Sequence, residues 1–230
     1  METIKASKEE LEKKAASIIA KKIDEKISQN GKAVLGICGG RSVENIFKHL
    51  LNESIIWSKV HIFLVDERCV SLNSLESNYR LAYNAFMKQL IESNKLAKDN
   101  AHAFIYDEAN AVKSLRKYNT ELNEVGGKFD IILLSSGEDG HVAALYPRHR
   151  SITNEASGFF TLNDSPKPPK LRMTSSRKLL QKSSAAILLF FGKEKEKAYE
   201  RFSSQNTSIQ DCPAKLITSI NDIYVLKESI

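Results

Sequence analysis

The sequence predicts an α/β fold, a mostly parallel sheet covered by helices on both faces. Three observations predict it. Short runs that are apolar at every position recur along the chain, as strands buried on both faces do. Amphipathic helical segments separate these runs. Polar, glycine-containing clusters follow them directly, at the strand ends where such sheets gather ligands. With 230 residues, the chain is long enough for one large core, and a single domain over residues 1–230 is expected.

The elements follow in order. Residues 7–29 read as a helix: Ser7 and Glu10 form a capping box, and Leu11, Ala15, Ile18, Ile19 and Ile23 keep helical spacing. Asn30-Gly31 is its stop signal. "AVLGIC" (33–38) is a buried strand, and "SVENIFKHLL" places Val43, Ile46, Phe47, Leu50 and Leu51 on one helical face. "VHIFLVDE" (60–67) is the second strand, followed by a helix from about Asn78. "AHAFIY" is a weaker strand, and the helix after it closes at Gly126-Gly127. "FDIILLSS", "AAILLFFG" and "DIYVLKE" complete the strands, with a helix over "GKEKEKAYERF". Residues 164–176 suggest no strand.

Composition narrows the function. Hydrophobic residues make up 42% and charged residues 27%, ordinary for a soluble globular protein. No apolar run approaches the roughly 20 residues of a membrane span. The N-terminus has no secretory apolar core and carries too many acids for a typical transit peptide. Cys38, Cys69 and Cys212 show no metal-type spacing, and their odd number predicts a reducing, cytoplasmic setting. The net charge of +6 suits nucleic acid or a small anion. The lysines alternate with acids at helical spacing, as solvated helix faces do, which argues against nucleic acid.

Three clusters carry chemistry. Gly39-Gly40-Arg41-Ser42 joins a strand to a helix. The glycines permit a tight turn and close approach to a ligand. Ser42 is expected to cap the helix, whose free amides and dipole would face an anion. Asp66-Glu67-Arg68 ends a strand with three charges. Arg68 suits a phosphate or carboxylate, and Asp66 could orient it or a catalytic partner. "SSGEDGH" (135–141) brings Glu138, Asp139 and His141 to a strand end. An ordinary imidazole titrates near about 6.5, so His141 suits a general base, its tautomer set by Asp139 or Asp66. Histidines 49, 61, 102 and 149 read as surface or strand-end residues.

A fourth stretch, "DSPKPPKLRMTSS" (164–176), packs three of five prolines around Lys167, with Arg172 and Thr174 after it. The prolines stiffen the loop and could fix the amine. There is no GxSxG elbow, no HExxH and no zinc-type grouping. The inventory suits water attack or proton transfer on a small phosphorylated substrate, with no cofactor and no metal.

These motifs, in this order, resemble the 6-phosphogluconolactonase family, within the larger group that includes glucosamine-6-phosphate isomerase/deaminase. The matching pieces are "GGRS" (39–42), "DER" (66–68), "SNYRLA" (77–82), "GEDGHVAALYP" (137–147) and "PKPPKLRMT" (166–174), with a weaker "GKEK" (192–195). Arg68 stands where the deaminase branch has tyrosine, and the "HVAALYP" and "PKPP" stretches are similar to the lactonase form. The resemblance implies a three-layer, Rossmann-like fold of the NagB/RpiA-like kind. It implies hydrolysis of 6-phospho-D-glucono-1,5-lactone in the oxidative pentose phosphate pathway, without a required cofactor. It implies His141 as general base, with Asp66, Arg68 and Asp139 beside it. Gly39, Gly40, Arg41, Ser42 and Lys167 would hold the phosphate, with Arg172 near. A cytoplasmic monomer or weak homodimer, free of nucleic acid and membrane, is expected.

The chain departs from the family pattern at Cys38 for serine, Val43 for proline, Ser135-Ser136 for Gly-Met, and Val142 and Ala144 for threonine and serine. No charged catalytic group is lost. Two alternatives stand beside the lactonase: an isomerase or deaminase using Asp66 as a carbon base, and a binding homologue without catalysis.

Overall fold

A computed structural model describes residues 1–229. Seven strands form the central sheet: β1 (Glu2–Ala6), β2 (Ala33–Ile37), β3 (Val60–Leu64), β5 (Ala101–His102), β6 (Ile131–Ser135), β9 (Ala185–Phe190) and β10 (Asp222–Glu228). Their order is β1-β10-β9-β6-β2-β3-β5, and every neighbouring pair is parallel. A second sheet, β4-β8-β7, is antiparallel and combines β4 (Asp66–Arg68), β7 (Phe159–Leu162) and β8 (Arg172–Ser175).

The helices cover the central sheet. They are α1 (Lys8–Asn30), α2 (Glu44–Leu50), α3 (Asn78–Ala82), α4 (Lys88–Glu92), α5 (Ala111–Glu124), α6 (Arg150–Thr153), α7 (Arg177–Gln181) and α8 (Glu196–Ser203). The capping box of α1 forms as expected, and Gly31 ends the helix in the left-handed region at φ 75°. Leu11, Ile19 and Ile23 of α1 are almost wholly buried, worth about 1.5–3 kcal/mol each. All five residues of β2 and all six of β9 are buried, which explains their unbroken apolar sequence.

Several expectations need correction. The strand expected over residues 60–67 is two strands. Val65 donates its amide to Ile37, the last bond to the central sheet, and the chain then turns away. Asp66, Glu67 and Arg68 pair with Thr174, Met173 and Arg172 instead. Residues 164–176, expected to hold no strand, contain β8, whose four residues are all buried despite three polar side chains. Strands β1 and β7 were not foreseen, because neither shows a long apolar run. The weak strand "AHAFIY" shrinks to Ala101–His102. The helix from Asn78 passes through a π turn at Tyr83–Met87 before α4. Ser42 does not cap α2; the N-cap position is Val43, with no side-chain hydrogen bond.

The small sheet brings β4 and β8 together at the carboxyl end of the central strands. That end also receives the turns after β2, β6 and β9. The fold therefore gathers sequence clusters that lie up to 150 residues apart.

His61 and His102 sit side by side on β3 and β5, with His61 Nδ1 3.2 Å from His102 Nε2. His102 Nδ1 lies 3.1 Å from a Glu121 carboxylate oxygen on α5. Burial, with His102 and Lys32 nearby, lowers the His61 pKa from 6.5 to about 4. The sign follows from linkage. Above pH 6.5 both folded and unfolded imidazoles are neutral; between about 6.5 and 4 only the unfolded one takes a proton. Stability should fall across that window as the solution is acidified. His61→Gln should show a smaller drop in Tm from pH 6.5 to 4 than the parent chain; equal slopes would show that His61 is not responsible.

Candidate active site

A cavity of about 630 Å³ opens at the carboxyl edge of the central sheet. It is large enough for a hexose phosphate. Its lining includes Gly39, Gly40, Arg41, Ser42, Asp66, Arg68, His141 and Arg172, eight of the ten residues singled out in the sequence. Asp139 adjoins it through His141. Lys167 is not among the lining residues.

His141 lines this cavity. The turn after β6 is closed by Gly137 N–H to the His141 carbonyl (2.9 Å) and Gly140 N–H to the Gly137 carbonyl (3.0 Å). Gly140 accepts from Ala214 N–H (2.9 Å), which pins the turn to the chain before β10. The His141 Nδ1–Asp139 Oδ1 separation is 2.5 Å, and the same oxygen accepts the His141 amide at 3.2 Å. Asp139, not Asp66, therefore sets the tautomer. With Nδ1 committed, Nε2 is the nitrogen left for substrate. Burial opposes ionisation of Asp139, but the His141 hydrogen bond and charge outweigh it and hold its pKa at about 2. The His141 side chain is 18% exposed, mostly desolvated yet reachable. Tyr146 packs on it, with ring centroids 4.9 Å apart. Gly137 is required here: a Cβ on it would strike the His141 ring.

Asp66, Arg68 and Arg172 line the cavity with His141. Arg172 is 5% exposed, and its guanidinium donates to the carbonyls of Lys167, Pro168 and Pro169. Its Nη1 is 3.8 Å from Asp66 Oδ2. Arg172 is thus committed to the proline loop. Arg68 donates from Nη1 to the Glu76 carbonyl (2.5 Å), and its buried Nε has no partner. Asn78, at the start of α3, donates to the Asp66 carbonyl (2.9 Å) and packs against Gly39, where a Cβ would overlap its side chain.

The turn at 39–42 lines the same cavity. Ser42 accepts from Lys195 Nζ (3.0 Å), and Ser135 accepts from the same amine (2.8 Å). Lys195 is half-buried, and no carboxylate pairs with it among the described residues. Burial lowers its pKa; the nearby Cys38 and Glu194 oppose the shift, and the charges of Lys8 and Arg41 add to it. A half-buried cation held only by hydroxyls, with two further cations near, is set up for an anion. Glu194 and Glu228 also line the cavity, but Glu228 accepts the Gly192 amide (2.7 Å). Burial, then the Asp66 charge, pushes the Cys38 thiol up to about 12, so it is a protonated, weak donor.

Lys167 is placed elsewhere. Its Nζ pairs with Glu138 Oε1 at 2.7 Å, linking the proline loop to the turn that bears His141. Lys195 is the residue that sequence reasoning missed. "GKEKEKAYER" reads as a solvated helix face, yet Gly192 and Lys195 follow β9 as directly as the other clusters follow their strands. The same strand-end rule would have found it. Among the described residues, no three His, Cys, Asp or Glu side chains converge to hold a metal.

Comparison with known proteins agrees with this geometry. The pattern of the family described as glucosamine-6-phosphate isomerases/6-phosphogluconolactonase matches residues 6–225. The chain belongs to that family. A 6-phosphogluconolactonase of Borreliella burgdorferi is 38% identical over 192 residues, 84% of this chain and 82% of the relative. The crystal structure of a 6-phosphogluconolactonase from Shewanella baltica superposes with a TM-score of 0.83 at 24% identity, covering 99% of this chain and 97% of that one. A monomeric glucosamine-6-phosphate deaminase superposes with a TM-score of 0.81 at 23% identity, covering 99% and 97%. The fold is thus common to both branches of the family and does not choose between them.

Gly137→Ala should push the imidazole off Asp139. The far-downfield Nδ1 proton resonance expected for the 2.5 Å contact should disappear from the NMR spectrum while the fold persists. An unchanged resonance would show that the turn tolerates a methyl group.

Proposed function

We propose that the chain hydrolyses 6-phospho-D-glucono-1,5-lactone to 6-phospho-D-gluconate. One observation carries this: a single cavity is lined by an imidazole with Nδ1 bound to Asp139 and by a glycine turn whose Ser42 is bound to the Lys195 amine. The 38% identity to a 6-phosphogluconolactonase supports the lactonase over the deaminase.

The phosphate lies on the Gly39–Ser42 turn, with Lys195 and Arg41 as its cations. This grip is remote from the reacting carbon and positions it. His141 Nε2 takes a proton from water as the oxygen attacks C1. Arg68, whose buried Nε has no partner, stabilises the oxyanion. The tetrahedral intermediate collapses by breaking the C1–ring oxygen bond, and the imidazolium returns its proton to that oxygen. Asp139 stays ionised and stabilises the imidazolium. Asp66 keeps Arg172 and the proline loop in place. Lys167 holds Glu138 clear of the cavity. Three free thiols suit the cytoplasm.

Because the lactone also opens unaided, initial rates are measured against a no-enzyme control. His141→Ala should lower kcat by about 10²–10⁴ and keep 6-phosphogluconate binding. An unchanged kcat would exclude His141 as the base. Lys195→Ala should instead act through KM, raising it by about tenfold or more, as loss of a charged hydrogen bond does. Ammonia release from glucosamine 6-phosphate would establish the deaminase in its place. Tight 6-phosphogluconate binding without any hydrolysis would establish a silent binding protein.

A further inference from the structure

We propose that Glu67 is a positioning residue that holds Arg68 in place for the reaction at C1. Resting on the lactonase reading, this assigns a role to the one charge of the Asp66-Glu67-Arg68 cluster that does not line the cavity.

Glu67 is 1% exposed and pairs with no cation among the described residues. Four donors compensate its burial instead. Its Oε1 accepts the amides of Arg68 (2.7 Å) and Asn78 (2.8 Å). Its Oε2 accepts the Tyr79 amide (2.7 Å) and the Ser77 hydroxyl (3.0 Å). A carboxylate offers about four lone-pair sites, so each is used.

The connections show what those bonds do. The Arg68 amide fixes one end of that residue. Its guanidinium grips the Glu76 carbonyl, and Ser77, the next residue, is bound by Glu67. One carboxylate therefore holds both the backbone of Arg68 and the peptide its head rests on. The third segment is reached through Asn78, whose amide is bound to Glu67 and whose side chain meets the Asp66 carbonyl and Gly39. A helix cap alone would need only the bonds to residues 77–79. The bond back to Arg68 N–H is the one that couples the cap to the site.

Glutamine at this position keeps the shape but turns an NH2 group toward two donors. Glu67→Gln should lower kcat by about tenfold to a hundredfold, with a smaller change in KM. Ser77→Ala removes one of the four donors and should give a smaller loss of the same kind, which guards against a Glu67 variant that does not fold. The deciding comparison is the double variant. With Arg68→Ala already present, Glu67→Gln should cost less than about twofold more, because its effect passes through Arg68. The Arg68 Nε–H resonance, followed by NMR in the ligand-free protein, should broaden or shift in Glu67→Gln. Full loss persisting in the Arg68→Ala background, wild-type kcat in both single variants, or an unmoved Arg68 resonance would each overturn the assignment. If the parent chain does not hydrolyse the lactone, the lactonase reading fails, while the Arg68 resonance still tests Glu67.

Discussion

The hydrogen bond between His141 Nδ1 and Asp139 is the contact on which the proposed chemistry depends. It is short, 2.5 Å, and lies within a five-residue turn. Such a turn can bring a carboxylate onto the ring of a residue two positions away only if nothing fills the space between. Gly137 leaves that space, and the Gly140 carbonyl anchors the loop to Ala214. The imidazole is thereby fixed in orientation and tautomer before any substrate arrives. Preorganisation of this kind removes reorganisation from the reaction step.

Lys195 and the 39–42 turn line the same cavity. Lys195 has given up much of its hydration and has received two hydroxyls in return. Ser135, which stands where the family pattern has glycine, supplies one of them. The departure at 135 ties the strand that leads to His141 to the Lys195 amine. Cys38, another departure that lines the cavity, contributes a protonated thiol and no charge. Binding free energy gathered here can be used to orient the reacting ring carbon, which is how a weakly reactive nucleophile such as water becomes effective.

Much of this was legible in the sequence. The buried parallel strands announced themselves as unbroken apolar runs, and the rule that ligands collect at strand ends located three clusters that share one cavity. The hidden parts have physical reasons. Strands β7 and β8 are short and carry polar residues, one of which, Thr174, accepts the Ala144 amide, so no periodicity marks them. Ser42 has the composition of a helix cap, yet its hydroxyl is engaged by a lysine 153 residues away. Lys195 was masked by charged neighbours on α8. Lys167, constrained by prolines, suggested a phosphate ligand; its amine pairs with Glu138 and is not among the residues lining the cavity. Local sequence signals geometry well and long-range partners poorly.

The most direct measurement is a crystal structure of the complex with 6-phosphogluconate. The phosphate should lie within hydrogen-bond reach of Lys195 Nζ and the Gly39–Ser42 turn, with C1 beside His141 Nε2 and Arg68. A phosphate seated on Lys167, or a C1 carboxylate out of reach of His141, would contradict the proposed division of the cavity into a grip and a reactive end.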